Sequence, residues 1–590
     1  MKRNRILNQL GVVFVTCLFL LLSSQMAIAA TYYIDYNAGD DSNNGKSTST
    51  PWKYSPGMSH FTGSYSHSAG DVFVFKGGVT WAATGSDSTV LTIGNSGGSG
   101  NPDIYMGGQQ CAKTGSVSCN GGTAWGIGYP VFDGGALNGM LGIYASAKSY
   151  ITLDGFKIQN VGYTDGSGQA IFFGSGSGLT VKNCLLEPNG VNAFAYSVSS
   201  GTYSAIYFHD NIIKKAGRVH IAVGDARITD VKYYNNIHYG GYDYDPKSYH
   251  TDGLMIGGDG KTDYAIQGLY IYNNKWTGDW SRGATAQLYL NGTPMYCYDY
   301  TNGSHEPTPG QVAIGETSGV ASKIYSTTNS GGWTGSGTGT ICGSSNALIN
   351  GENLNESPTY GGQYIGTIAS ASNYTALKST KDVYIYNNLF ATENTTGSAF
   401  SPGAIDISAG HSDIKIYNNT IDARSNTAIP MSHCVFIGAF VNNIDIQNNI
   451  LTGCDNGVTL AETTTGKVTI DYNLYYTLSG NHLIWDNRIA TRYDTCVKAQ
   501  AAGFGTGFCA IANPLFTTLP SGGVVGSGDW NLQSGSPARE IGADLSAYFT
   551  TDILGNTRTG TWDIGAYEYG AAAVIGKIIS GGIISGGLIR

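Results

Sequence analysis

The sequence predicts an all-β solenoid, a parallel β-helix of short stacked strands. A strand-like phrase closing in Asn-Asn recurs as LYIYNN (269–274), VYIYNN (383–388), IKIYNN (414–419) and IDIQNN (444–449). Looser copies are ITLDGF (151–156), LTVKNC (179–184), IYFHDN (206–211), VKYYNN (231–236) and VTIDYN (468–473). From Ile151 onward the copies begin 28, 27, 25, 38, 114, 31, 30 and 24 residues apart. A unit of about 25–30 residues is the size of one solenoid coil. Apolar residues alternate inside each copy, which is the strand period. No copy is followed by an amphipathic helix, which argues against leucine-rich, ankyrin and other helical repeats.

A second strand lies between copies: 218–223, 253–258, 286–291, 404–408, 434–439 and 457–461. Each coil therefore carries at least two strands. They pair in parallel with those of the next coil, about 4.8 Å away, around a continuous core. The asparagines read as structural, because Asn tolerates the left-handed conformation of a sharp corner and equivalent Asn side chains can form a ladder.

The ends differ from the middle. Residues 1–30 read as a secretory signal: Lys2, Arg3 and Arg5, then the apolar run Val12–Leu22, then the small residues of Ala27-Ile28-Ala29. No other run is long enough to span a membrane. The formal net charge is −9, and losing the three basic residues of the leader takes it to −12. That disfavours nucleic acid as a partner. Nine of the ten cysteines lie beyond the leader. Cys111–Cys119, Cys297–Cys342, Cys434–Cys454 and Cys496–Cys509 are pairings that an oxidising compartment permits. Cys184 is left over as a small core residue, and sequence alone does not fix the connectivity.

The segment YYIDYNAGDDSNNGKSTSTPWK (32–53), followed by GDVFVFKGGVTW (70–81), GGSGNPDIYMGG (97–108), PVFDGG (130–135) and YITLDGFKIQN (150–160), resembles the entry of secreted right-handed parallel β-helix proteins of the pectate-lyase-like superfamily. NPLF (513–516), SGSPARE (534–540) and DILGNTRTGTWDIGAYEY (552–569) look like the closing segment of bacterial members, with Arg558 near Asp563 and Glu568 as a capping ion pair. The resemblance covers residues 31–569. It implies a single right-handed β-helix: an N-terminal cap and first coils over 31–150, coils over 151–292 and 381–510, and a C-terminal cap over 511–570. Residues 293–380 read as a Gly-, Ser- and Thr-rich loop insertion or irregular coil, and 571–590 as a Gly-rich apolar extension.

Alternation also says which side chains face out. With Val219, Ile221 and Val223 inside, Arg218 and His220 face solvent, as do Gln287, Tyr289 and Asp406 on later coils. His250, Thr251 and Asp252 precede the strand of the next coil, and Asp243, Asp245 and Lys247 lie on the long turn before it. HTDG (250–253) resembles the Asn-Thr-Asp-Gly motif of polygalacturonase-type hydrolases, which makes Asp252 the catalytic candidate. It departs from that motif at His250, and the hydrolases' Asp-Asp, Gly-His-Gly and Arg-Ile-Lys motifs are missing. The plain alternative for HTDG is a turn in which Asp bonds backbone.

The leading expectation is a secreted, monomeric enzyme that cleaves a uronate-containing extracellular polysaccharide by β-elimination. Such a lyase neutralises the uronate carboxylate, removes the adjacent proton and assists the leaving oxygen. Arg218 offers a bidentate carboxylate partner. Asp243, Asp245 and Asp252 offer oxygens for calcium, and Lys247, His220 or His250 offers the base. The catalytic candidates are thus Arg218, His220, Lys247, His250 and Asp252, with Gln287, Tyr289 and Asp406 contacting substrate. A hydrolase instead needs a second carboxylate, Asp225 or Asp406, facing Asp252. The third alternative is a non-catalytic glycan-binding surface protein using the outward tyrosines Tyr234, Tyr272, Tyr386 and Tyr417, although stacking for sheet stability is the simpler role of those rings.

Overall fold

The computed structural model describes residues 29–570 except 115–118, 136, 163–167, 241–251, 261–262, 281–285, 310, 331–334, 345–347, 357–362, 394–402, 426–430, 481 and 519–527. The chain winds as a parallel β-helix with three strand faces per coil. One coil shows the pattern: Gln169–Phe173 on a first face, the repeat strand Leu179–Lys182 on a second, and Leu185–Glu187 on a third. Each pairs in parallel with its counterpart on the coils before and after. The first two faces merge into one hydrogen-bonded sheet, because Gly190–His209 and Ala216–Tyr234 run through the corner between them. The third face is a separate parallel sheet. Its strands are mostly three to five residues long, too short to leave a period in the sequence.

The two asparagines of the repeat divide the labour. The first takes the left-handed turn: φ is 55° at Asn183 and Asn235, 57° at Asn273, 53° at Asn387 and 57° at Asn448. The second points inward and builds a ladder. Asn211, Asn236, Asn274, Asn388, Asn419, Asn449 and Asn473 each lie on successive coils. The backbone N–H and Nδ2 of each donate to Oδ1 of the next at 2.9–3.1 Å. Each peptide group at this buried corner would otherwise lack a partner, which is costly.

Alternating Ile, Val and Leu from every coil form one core that runs from Tyr32 to Phe504. Coils begin at once: Thr31–Ile34 pairs in parallel with Val72–Phe75, and that strand with Asp103–Gly107. The disulfides Cys111–Cys119, Cys297–Cys342, Cys434–Cys454 and Cys496–Cys509 are present, and Cys184 is buried and free. Among the described residues no helix is long and apolar enough to cross a membrane. The signal segment and the 571–590 extension lie outside the described residues.

Two segments differ from expectation. The described residues of 294–376 are neither a loop nor an irregular coil. Pro294–Gly303, Val312–Gly315, Ala321–Ser330, Gly337–Gly343, Asn353–Glu356 and Tyr364–Ala376 close into an antiparallel barrel. It has its own core of Tyr298, Tyr300, Ile324, Ile341, Leu354, Ile365 and neighbours. The barrel leaves the helix between the first-face strand Ala286–Asn291 and the second-face strand Thr380–Tyr386, and Leu377 N–H donates to Thr293 O at its neck. The closing segment is also more than an end cap. It runs back over the Asn corners, where Asn387, Asn418 and Asn448 donate to the carbonyls of Thr551, Asp563 and Ala543. Arg558 is buried, bonds Glu568 at 2.8 Å and donates to Asn387. Asp563 accepts from the N–H groups of Glu540 and Tyr569.

Candidate functional site

Because every coil repeats the same register, outward residues of the first face line up across coils. His220, Met255, Tyr289, Asp406, Phe436, Thr459 and Trp485 form one such column. Neighbours are one step of about 4.8 Å apart. Asp406 reaches Tyr289 across a long stretch of chain only because the barrel is looped out between their coils.

Asp406 is a strongly perturbed acid of this face. Burial, and then the negative charge of Asp252, push its carboxyl up to about 7. Asp252 is 2% exposed, and its Oδ1 accepts from Ala286 N–H at 3.3 Å, at the entrance of the next coil. Asp252 thus bonds backbone on the next coil, and the same carboxylate biases Asp406. Tyr289 stands between them. Burial foremost pushes its phenol up, with both carboxylates contributing, and its hydroxyl donates to Asn291 Oδ1 at 3.2 Å.

Arg218 and His220 share one strand at the far end of the column. Arg218 donates from Nε to Asn192 Oδ1 at 3.1 Å and from Nη1 to Met255 Sδ at 3.5 Å. Burial, then the Arg218 charge, bring His220 down to about 4, so its ring is neutral at neutral pH. Three coil steps, roughly 14 Å, separate this pair from Asp406. An acid and a base serving one bond must each reach it by hydrogen bond or through one water. Asp406, expected to contact substrate, thus stands apart from Arg218 and His220 on the same face, whereas Asp252 precedes the strand of the coil next to them.

Gln287 alternates with the core residues Leu288 and Leu290, yet it is covered. It is fully buried, and neither its Oε1 nor its Nε2 finds a partner among the described residues. Asp225 is exposed on the strand beyond His220, which leaves Asp406 as the carboxylate associated with Asp252. Lys247, His250, Asp243 and Asp245 lie outside the described residues. Among the described residues no group of three or more His, Cys, Asp or Glu side chains is arranged to hold a metal. Asp252, buried and bonded to backbone, does not by itself fit a calcium ion, and no chemistry below depends on one.

Phe436 and His433 complete the surroundings. Phe436 flanks Asp406 on the side opposite Tyr289, and the His433 ring stacks on it with centroids 4.9 Å apart. Burial brings His433 down to about 4. A Cβ on Gly403 would sit 3.1 Å from His433 Cδ2, so a side chain there would crowd the ring. Phe436 was legible as the outward residue of CVFIGA, whereas His433 lies before the regular alternation begins. The tyrosines are a stack on the second face. His209, Tyr234, Tyr272, Tyr386 and Phe549 lie ring on ring at 4.5–4.9 Å, and Tyr417, in register with Tyr386, is covered by the closing segment.

No protein-family profile matches the chain, and no curated protein matches it in sequence. Among solved structures it is similar to the pectate lyase Pel9A, at 13% identity and a TM-score of 0.33, covering 93% of this chain and 98% of that one. It is also similar to the GH136 lacto-N-biosidase from Eubacterium ramulus, at 10% identity and a TM-score of 0.40 over 84% and 68% of the two chains. A third is PfbA, a surface adhesin of Streptococcus pneumoniae, at 11% identity and a TM-score of 0.30 over 70% and 84%. At these identities the likeness is one of fold, and what the site can do rests on its own residues.

Proposed function

We propose that the protein cleaves glycosidic bonds in an extracellular polysaccharide lying along the first face, with Asp406 as general acid. One observation carries this reading: an outward carboxyl poised at about 7, set in the column between Tyr289 and Phe436. A general acid works best when its pKa lies near the operating pH, and a neighbouring carboxylate is a recurrent means of keeping one protonated. Asp406 protonates the leaving oxygen as the glycosidic C–O bond breaks, a water adds at the anomeric carbon, and the proton that water releases to solvent restores the Asp406 carboxyl. Tyr289 and Phe436, one coil step to either side, offer ring faces to the adjoining sugars. Asp252 stays anchored on Ala286 and holds the proton on Asp406.

Hydrolysis fits this acid better than the β-elimination expected from sequence. Elimination requires a base strong enough to remove a carbon-bound proton, and of the three bases named from sequence His220 at about 4 is a weak one, while Lys247 and His250 lie outside the described residues. Elimination is the second reading because Arg218 sits beside His220 on the same face, where it can meet a uronate carboxylate. The four disulfides fit an exported protein acting outside the cell.

The test screens purified protein against neutral and uronate-containing polysaccharides, with and without calcium, beside Asp406→Asn. New reducing ends that vanish in the variant support hydrolysis through Asp406. Unsaturated, ultraviolet-absorbing ends that persist in Asp406→Asn would replace it with elimination at Arg218. Binding without products in both proteins would make this a glycan-binding protein and overturn the catalytic reading.

A further inference from the structure

Among the described residues, the third face is covered along only part of its length. On the later coils Leu389, Ile450 and Leu474 pack under Phe516, Trp530, Ile553 and Ile564 of the closing segment, forming a second core. On earlier coils the same outward column continues as Leu185, Ile212 and Ile237, paired in register. These three are partly exposed, and Tyr239 beside them is 36% exposed. None of the three belongs to any buried cluster. Lys275 separates this bare stripe from the covered one, one step from Ile237 and one from Leu389.

The chain approaches that boundary as it ends its described course. Gly565 lies against Ile450 and Thr420, and Ala566 N–H donates to Thr420 Oγ1 at 2.9 Å. Tyr567 then stands beside Lys275, whose Nζ is 5.9 Å from the ring centroid, two coils nearer the amino terminus than Thr420. Residues 571–590, AAAVIGKIISGGIISGGLIR, follow within three residues. They hold six Ile, one Val and one Leu, with two basic residues and no acid.

We propose that this 571–590 extension covers the Leu185–Ile212–Ile237 stripe, continuing the intramolecular packing of the closing segment toward the amino-terminal coils. The reach suffices. Leu185 lies three steps beyond Lys275, about 14 Å, and residues 571–575 alone span about 17 Å when extended. A second copy of the chain is the weaker occupant: a stable interface buries roughly 800 Å² per partner, far more than four partly exposed side chains provide.

The test places Ile212→Cys in the full-length chain and measures its rate of reaction with a thiol reagent. A second chain carries the same cysteine with Val574, Ile575, Ile578 and Ile579 replaced by Ser. The expected result is at least tenfold faster labelling in the second chain, with Thr80→Cys, exposed on the same face, unchanged. Ile237→Cys repeats the measurement should Ile212→Cys fail to fold. Equal rates in both chains would overturn the proposal. Protection that depends on protein concentration and survives the serine changes would assign the stripe to a second copy and overturn it as well.

Discussion

Asp406 holds its proton at the expense of the fold's tolerance of alkali. Its carboxyl titrates at about 7 in the folded chain against 3.8 as the ordinary value. Between those values the folded protein binds more protons than the unfolded one, so stability falls as pH rises through that window and is flat above it. Asp406→Asn removes the titration. The variant is expected to melt higher than the wild type at pH 8 and level with it at pH 4, read by calorimetry. Its polysaccharide cleavage should fall by roughly 10²–10⁴, the usual contribution of a general acid. At this scale the sequence was informative about identity and less so about association. HTDG marked Asp252, and alternation marked Tyr289 and Asp406. That Asp252 and Asp406 influence each other depends on which coils are adjacent, and the looped-out barrel hides this. That Gln287 is covered was not legible, because strand alternation says nothing about what packs over an outward side chain.

The element that most determines the register is the Asn corner. Asn274 accepts from the N–H and Nδ2 of Asn236 and donates to Tyr233 O and Asn388 Oδ1. Asn274→Ala orphans the Asn236 N–H and removes one of the bonds to the Tyr233 carbonyl. At about 1–3 kcal/mol for a buried orphan, a loss of about that size is expected in urea unfolding. Asn274→Asp keeps the acceptor and should lose less. The repeat was legible because each copy pairs an alternating strand with this corner. The third face escaped notice because runs such as LLE and IIK carry no period. The barrel strands escaped because their Gly, Ser and Thr content reads as turn.

The whole molecule carries buried neutral histidines on several coils. Burial holds His220 and His433 at about 4 and His238 and His411 at about 3, below the usual 6.5. The unfolded chain therefore binds the extra protons first. Stability is full above about 6.5 and is lost as pH falls toward 4 and below, opposite in sign to Asp406. A melting temperature that falls steadily from pH 6.5 to 4 in both wild type and Asp406→Asn is the expected outcome. The helix and the barrel should be separable. The ladder passes from Asn274 to Asn388 without a break, so replacing 294–376 by a short Gly linker should leave the helix melting within a few degrees of the parent by circular dichroism.

The Leu377–Thr293 bond at the barrel's neck also bears on the order of assembly. The coils of Asn274 and Asn388 are neighbours in space and 114 residues apart in the chain. Closing that span from an open chain costs only about 1 kcal/mol more than closing an ordinary coil, yet it demands a slow, non-local search. A barrel that folds first brings Thr293 and Leu377 together and makes the next coil local again. Pulse-labelled hydrogen exchange should then find amides of 294–376 protected before those of 383–386, and the guest domain would serve as the splice through which the solenoid keeps winding.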